Sequence, residues 1–174
     1  MKTQHLKQKF GYCKNIGWGD AVEMINMGYK NKTLSFLMSH NLDKIPRHYG
    51  GFNYGFGDGK LSENKPLSPP TFGLHGSDKL SPKLKRIAAK VHRQWNTNVD
   101  GMQLFISLGA DATTFGKHKD DCNVLLVQAV GKMKYYVEGI GPLDFIPGDG
   151  IFISKGVSHS PYVIEPRITL SFNW

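Results

Sequence analysis

The sequence predicts a mainly β protein with flanking helices, its strands closed into a sandwich or barrel of jelly-roll type. Three observations carry that reading. Short apolar runs rich in β-branched residues recur through the C-terminal part, as in Val124–Val130 and Ile151–Ile153. Turn residues separate them: Gly131, then Gly139 to Pro142, then Pro147-Gly148-Asp149-Gly150. The last segment, Arg167-Ile168-Thr169-Leu170-Ser171-Phe172-Asn173, alternates polar and apolar residues as a half-buried strand does. Close-spaced strands of this kind form two packed sheets, and a jelly roll can hold a ligand between them.

The elements follow in chain order. Asp20 caps a helix running through about Tyr29, with Val22, Met24 and Ile25 as its apolar contacts. Residues 33–39 continue as a second short helix or a strand. The segment 46–80 is rich in Gly, Pro and aromatics, lacks a regular period, and reads as largely loop. Loops this long in one domain are often functional, so Tyr49, Phe52, Tyr54 and Phe56 are candidates for a substrate entrance. Ser81-Pro82 opens a cleaner helix over 82–96: a capping hydroxyl, then proline at the first helical position. Leu84, Ile87, Ala88, Val91 and Trp95 form its apolar stripe, so Trp95 reads as core. Val124–Val130 is a buried strand, Met133–Val137 its returning partner, and Ile151–Ile153 a short buried strand. The whole chain, 1–174, reads as one domain, with 1–100 a helical and loop support region and 101–174 the core.

Composition sets the setting. The formal net charge is +8, and it is unevenly placed: residues 1–100 hold 16 Lys/Arg against 7 Asp/Glu, residues 101–174 hold 6 against 7. A basic N-terminal half can attract nucleic acid or an acidic protein surface, or can be a solvated helix face. No apolar run reaches the ~18 residues of a membrane span, and Met1-Lys2-Thr3-Gln4-His5 leads into no apolar signal segment. Cys13 and Cys122 give no disulfide framework. A reduced, cytoplasmic setting without membrane contact is the expectation.

The chemistry concentrates in two places. His118 and Asp120 are separated by one residue, and in an extended strand residues i and i+2 share a face. His159 follows Asp120 by 39 residues and arrives from a second strand. Two imidazoles and one carboxylate, with coordination positions left open, are the facial ligand set of non-haem Fe(II) sites. His5, His40, His48, His75 and His92 have no such paired context and are not expected to bind metal.

From Phe115 to Trp174 the sequence resembles the double-stranded β-helix core of the Fe(II)/2-oxoglutarate dioxygenases, within the cupin superfamily. It is most similar to the Jumonji-C-type hydroxylases, with the likeness beginning near Met102. The segment HKDDCNVLLVQAVGKMKYY, 118–136, is similar to their H-x-D strand, a buried strand ending in Gln, and a Gly-containing hairpin. The segment PGDGIFISKGVSH, 147–159, is similar to the second cupin motif, with Ser154 where proline is usual. The resemblance implies Fe(II) on His118, Asp120 and His159, and 2-oxoglutarate and O2 as cosubstrates. It implies oxidative decarboxylation to succinate and CO2, coupled to hydroxylation of a C–H bond, with a protein or peptide side chain as the substrate.

The cosubstrate's far carboxylate needs a cation deep in the barrel, and arginine offers a planar fork of donors with permanent charge. Arg167 and Thr169 resemble the Arg-x-Ser/Thr anchor of many of these dioxygenases. Jumonji-C-type enzymes often place a Lys or Arg two residues after the hairpin glycine instead. Here that position is Met133, between Lys132 and Lys134. Arg167 is therefore the expected anchor, with a hairpin lysine as its alternative. The final strand is also similar to that of the nucleic-acid alkylation-repair dioxygenases, but Asn173 stands where they have a second arginine. Two rival readings are a metal-binding cupin without 2-oxoglutarate chemistry and a nucleic-acid-binding module on a barrel scaffold.

Overall fold

The structure, a computed structural model, describes residues 2–37, 69–95 and 101–174. Its strands are β1 (Gln4–Leu6), β2 (Leu34–Leu37), β3 (Thr71–Leu74), β4 (Met102–Ser107), β5 (Val124–Val130), β6 (Met133–Val137), β7 (Gly141–Phe145), β8 (Gly150–Ile153), β9 (His159–Val163) and β10 (Arg167–Asn173). The helices are α1 (Trp18–Lys30) and α2 (Pro82–Trp95). A seven-stranded sheet has the order β1-β8-β5-β10-β4-β3-β2, and a three-stranded sheet the order β7-β6-β9. Every pairing is antiparallel.

Strand alternation sorts the side chains into two cores. Ile168, Leu170 and Phe172 of β10 point to one face of the large sheet, with Leu104 of β4 and Leu125 and Val127 of β5. Leu84, Ile87 and Val91 of α2 and Met24 of α1 cover that face. Burying each such side chain stabilises the fold by ~1.5–3 kcal/mol. The second core lies between the sheets. Val124, Leu126, Ile151 and Ile153 from the large sheet meet Met133, Tyr135, Val137, Phe145 and Val163 from the small one. The mainly β, double-stranded β-helix architecture expected from the sequence is the one found.

Several local expectations need correction. Asp20 is not the cap residue of α1 but lies inside its first turn, where its carboxylate accepts the Gly17 N–H at 2.8 Å. Val22 is 68 % exposed and makes no core contact, because Ala21, Met24 and Gly28 form the buried stripe. Of the two readings of residues 33–39, helix or strand, the strand is the one found, over Leu34–Leu37. Within 46–80, Thr71–Leu74 is a strand paired on both sides, with β2 and β4. Pro142 belongs to β7 rather than to the preceding turn. It is tolerated there because β7 is a sheet edge. The helix expected over 82–96 is α2, with Ser81 Oγ accepting the Lys83 N–H at 3.2 Å. Trp95 stacks between Phe10 and Phe152, at centroid distances of 6.1 and 6.3 Å. Tyr49, Phe52, Tyr54 and Phe56, proposed for an entrance, and His40 and His48 lie outside the described residues.

Two glycines are required by close approach. Gly131, between β5 and β6, has φ +72° and faces the backbone of Pro166 and Arg167, where any Cβ would collide. Gly150 admits the Phe10 ring against the backbone of β8. No helix among the described residues is long and apolar enough to cross a membrane. Cys13 and Cys122 are both free thiols.

Candidate metal and cosubstrate site

His159 opens β9, opposite Val137 of β6. On its other side it pairs with His118 through an isolated antiparallel bridge. The segment carrying His118 and Asp120 is thus held strand-like at that bridge rather than forming the full strand expected. Asp120 O also accepts the Gly156 N–H at 2.9 Å, which fixes the two segments against each other.

One potential ligand atom from each of His118, Asp120 and His159 lies within 4.8 Å of the others. Asp120 faces both imidazoles, with Oδ1 3.9 Å from His118 Nε2 and Oδ2 3.4 Å from His159 Nε2. Each imidazole is oriented from behind. His118 Nδ1 lies 2.9 Å from Gly116 O, and His159 Nδ1 lies 3.2 Å from Val157 O. A carbonyl can only accept, so both Nδ1 atoms carry the proton and both Nε2 lone pairs face Asp120. Burial holds His159 below the ordinary imidazole pKa, outweighing the Val157 hydrogen bond that raises it. It is therefore neutral near pH 7, as a metal ligand must be. His159 is 3 % exposed, while the His118 and Asp120 side chains are about one-third open at the mouth. The exposed Phe115 ring stands 5.5 Å from His118.

Further into the barrel, β10 turns Arg167 and Thr169 to the interior, away from its apolar face. Arg167 Nε donates to Ser107 Oγ at 3.1 Å and Nη1 donates to Thr169 Oγ1 at 2.8 Å. Thr169 Oγ1 in turn donates to Gln128 Oε1 at 2.6 Å, and Gln128 Nε2 donates to Val130 O at 2.8 Å. Ser107 Oγ and Thr71 Oγ1 share a 2.8 Å hydrogen bond. Arg167 is 3 % exposed, yet no carboxylate pairs with its guanidinium among the described residues. Burial lowers its pKa, and Tyr135 beside it raises it. Among the described residues its hydrogen-bond partners are hydroxyls, with the Phe105 ring 5.8 Å away; a buried charge so held is costly, and an anion would satisfy it.

The β5–β6 hairpin reaches Thr169. Met133 Sδ lies 3.6 Å from Thr169 Oγ1, and Met133 is fully buried. Lys134 projects to the opposite face of β6, its neighbours Asp144 and Tyr162 across the two flanking strands. Tyr135 points inward again and is fully buried. Burial pushes its phenol up to about 12, with Arg167 lowering and Asp120 raising it. The register places Val137 level with His159, Tyr135 beside Pro161 and Met133 beside Val163. The inner face of β6 therefore spans the distance from the His/Asp/His group to Arg167.

Sequence reasoning assigned no role to Ser107, Gln128, Tyr135 or Thr71. Gln128 did carry a signal: a polar side chain in the apolar run Val124–Val130 has to find a buried partner. Of the other histidines, His5 meets Asp149 at 3.1 Å in a structural contact that ties β1 to the β7–β8 turn.

No protein-family model matches this sequence, and no curated protein sequence matches it. Solved structures do match its fold. The X-ray structure of YcfD from Escherichia coli is similar at TM-score 0.71 and 17 % identity, covering 99 % of this chain and 49 % of that one. YcfD described as a ribosomal oxygenase, in complex with cobalt and 2-oxoglutarate, is similar at TM-score 0.69 and 19 % identity, covering 99 % and 47 %. Its complex with cobalt and succinic acid matches at TM-score 0.69 and 18 % identity, covering 99 % and 47 %. The chain thus shares the fold of YcfD and spans about half the length of those proteins.

Proposed function

We propose that this chain is an Fe(II)- and 2-oxoglutarate-dependent dioxygenase that hydroxylates a C–H bond, with a protein side chain as substrate. The observation that carries it is Arg167, a buried guanidinium with no carboxylate partner among the described residues, in the same barrel interior as the His118/Asp120/His159 group. The residues fit the metal. Two imidazoles with Nδ1–H fixed by carbonyls and one carboxylate would supply three donors to a divalent ion. They also fit the cosubstrate. Arg167 would hold its far carboxylate, and Thr169, held by Gln128, would fix the fork's orientation. The bound metal would activate O2, the oxidant: one oxygen atom would enter succinate as 2-oxoglutarate loses CO2, and the other would be placed on the substrate carbon, with two electrons drawn from 2-oxoglutarate and two from the C–H bond. The chain's part is positioning and exclusion of water, so no nucleophile or acid–base pair is required.

YcfD structures of like fold, solved with cobalt and with 2-oxoglutarate or succinic acid, support the oxygenase reading. The resemblance of the core to the Jumonji-C-type hydroxylases and the name of YcfD as a ribosomal oxygenase support a protein substrate. The test is an anaerobic Fe(II) titration with and without 2-oxoglutarate. A weak visible charge-transfer band that needs both is the expected result. Metal binding without any 2-oxoglutarate-dependent band, together with no heat of 2-oxoglutarate binding, would replace this reading with a metal-binding cupin of other chemistry.

A further inference from the structure

Arg167 is held from two sides, and each side ends at a backbone carbonyl. The first side is a row across three strands. Register sets Thr71 of β3 beside Ser107 of β4, and Ser107 beside Arg167 of β10. The second side joins Arg167 to Thr169 and then to Gln128 of β5. A register shift between Ile168 and Thr169 marks a bulge in the β5–β10 pairing. Bulges re-aim side chains. Gln128 Nε2 turns back toward its own strand end, to Val130 O at 2.8 Å and Gly131 O at 3.2 Å. Thr71, Ser107, Gln128 and Thr169 are all fully buried, so bulk water offers none of them another partner.

Counting protons fixes the direction of every bond. A carbonyl only accepts, so the Gln128 atom that faces two carbonyls is its amino group. Its oxygen therefore faces Thr169, and the single Thr169 hydroxyl proton goes to Gln128 Oε1 at 2.6 Å. Met133 Sδ, 3.6 Å from the same hydroxyl, is the weaker acceptor. On the other side Thr113 O takes the Thr71 hydroxyl proton at 2.6 Å. The 2.8 Å bond between Thr71 and Ser107 is then donated by Ser107. Neither Ser107 nor Thr169 has a proton left, and each meets Arg167 as an acceptor. A guanidinium has five N–H groups; these two bonds use two and leave three.

We propose that Thr71 and Gln128 are positioning residues for the cosubstrate's far carboxylate and act through Arg167. They turn the Ser107 and Thr169 hydroxyls into acceptors, so the guanidinium holds the carboxylate and neither hydroxyl donates to it. A hydroxyl proton turned toward the guanidinium would repel an N–H and release the fork, whose bidentate contact needs a fixed direction. The inference rests on the dioxygenase reading and separates, within it, the group that binds from the groups that aim. It also gives β3 a task at the site, because Thr71 is its first residue.

The test is anaerobic calorimetry of the Fe(II)-loaded full chain with 2-oxoglutarate and with 2-oxovalerate, which has a methyl group in place of the far carboxylate. The parent should prefer 2-oxoglutarate by about one to two decades. Thr71→Val and Gln128→Leu should each narrow that preference by about fivefold, the factor of one neutral hydrogen bond. Their affinities for 2-oxovalerate and for Fe(II) should stay as in the parent, which also shows that the fold is retained. Thr71→Ser, which keeps the hydroxyl, should restore the parent's preference. In an Arg167→Met background, Thr71→Val, Gln128→Leu and Thr169→Val should each change 2-oxoglutarate affinity by less than about twofold, because residues that act through one partner fall silent without it. A loss at Thr169→Val that persists without Arg167 would reveal a hydroxyl that donates to the ligand and would overturn the proposal. Equal losses for the two acids would overturn it in favour of general damage to the barrel. Both of those outcomes leave the parent's preference, and so the dioxygenase reading, intact. A parent that binds the two acids alike would instead remove that reading and this inference together.

Discussion

His118 and His159 exchange both backbone hydrogen bonds, each N–H reaching the other's carbonyl at 2.9 Å. Two candidate ligands far apart in sequence are thereby fixed opposite each other, with ring centroids 4.2 Å apart. The pairing is made by the backbone, so the side chains can be changed without removing it.

His118→Ala and His159→Ala should each abolish tight Fe(II) binding while the protein still folds, because two remaining side chains hold a divalent ion poorly. His159→Ala should lower the melting temperature more, since its side chain is 3 % exposed and its removal leaves a cavity. Calorimetry with Fe(II) or Co(II) under nitrogen, alongside a thermal melt, checks both. A variant that binds metal as the parent does would remove that histidine from the ligand set.

Arg167→Met should raise the apparent 2-oxoglutarate requirement by one to two decades and leave metal binding nearly intact. A charge-assisted pair in a secluded site contributes about 1.5–3 kcal/mol. Arg167→Lys should rescue only in part, because an ammonium cannot reproduce the fork that reaches Ser107 and Thr169 together. Thr169→Val should cost less in affinity, but it also leaves Gln128 Oε1 without its 2.6 Å partner and should lower stability by ~1–3 kcal/mol. Lys134→Met, on the outer face of β6, should change neither quantity; a loss there larger than that of Arg167→Met would move the anchor to the hairpin. Isothermal titration with 2-oxoglutarate reads all four.

Gly131→Ala should destabilise the fold by several kcal/mol, beyond the ~1 kcal/mol of an unfavourable φ alone. The added Cβ would meet the Pro166 carbonyl, which is backbone and cannot swing aside. Because Pro166 directly precedes Arg167, cosubstrate affinity should fall as well. Denaturant unfolding and the 2-oxoglutarate titration test this pair of effects; a shift in neither would show that the β5–β6 turn relaxes freely.

Asp20 couples stability to acid. Burial raises its pKa, but the hydrogen bond and charge of Lys83 and the Gly17 N–H outweigh that and hold it below the ordinary carboxylate value. A depressed folded-state pKa means that the unfolded chain binds the proton first. The stabilisation is present above the unfolded pKa of ~3.9 and is lost as pH falls through the folded value. Asp20→Asn should therefore reduce stability at pH 7 and have a smaller effect at pH 3. Urea midpoints at the two pH values check the sign, and an equal loss at both would mean that Asp20 contributes by shape alone.

Legibility followed the range of the interaction. The buried run Val124–Val130, the alternation of Arg167–Asn173 and the stripe of 82–96 are local periodicities, and all three appear as β5, β10 and α2. The strand Thr71–Leu74 was not legible, because four residues holding a glycine show no period of their own. It is a strand because β2 and β4 flank it and complete its hydrogen bonds.

The sequence by itself determined the donors: two imidazoles and a carboxylate in order, an arginine opening an alternating strand, and a methionine at the hairpin position. The tertiary structure alone decided what they meet. Sheet order brings His118 opposite His159, and β4 and β5 flank β10 so that Ser107 and Gln128 close around Arg167 and Thr169. It also leaves that guanidinium buried without a carboxylate among the described residues, a property of the packed interior rather than of any segment. Side-chain chemistry and local period are written residue by residue. Register and enclosure arise from contacts between distant segments, which exist only once both sheets have closed.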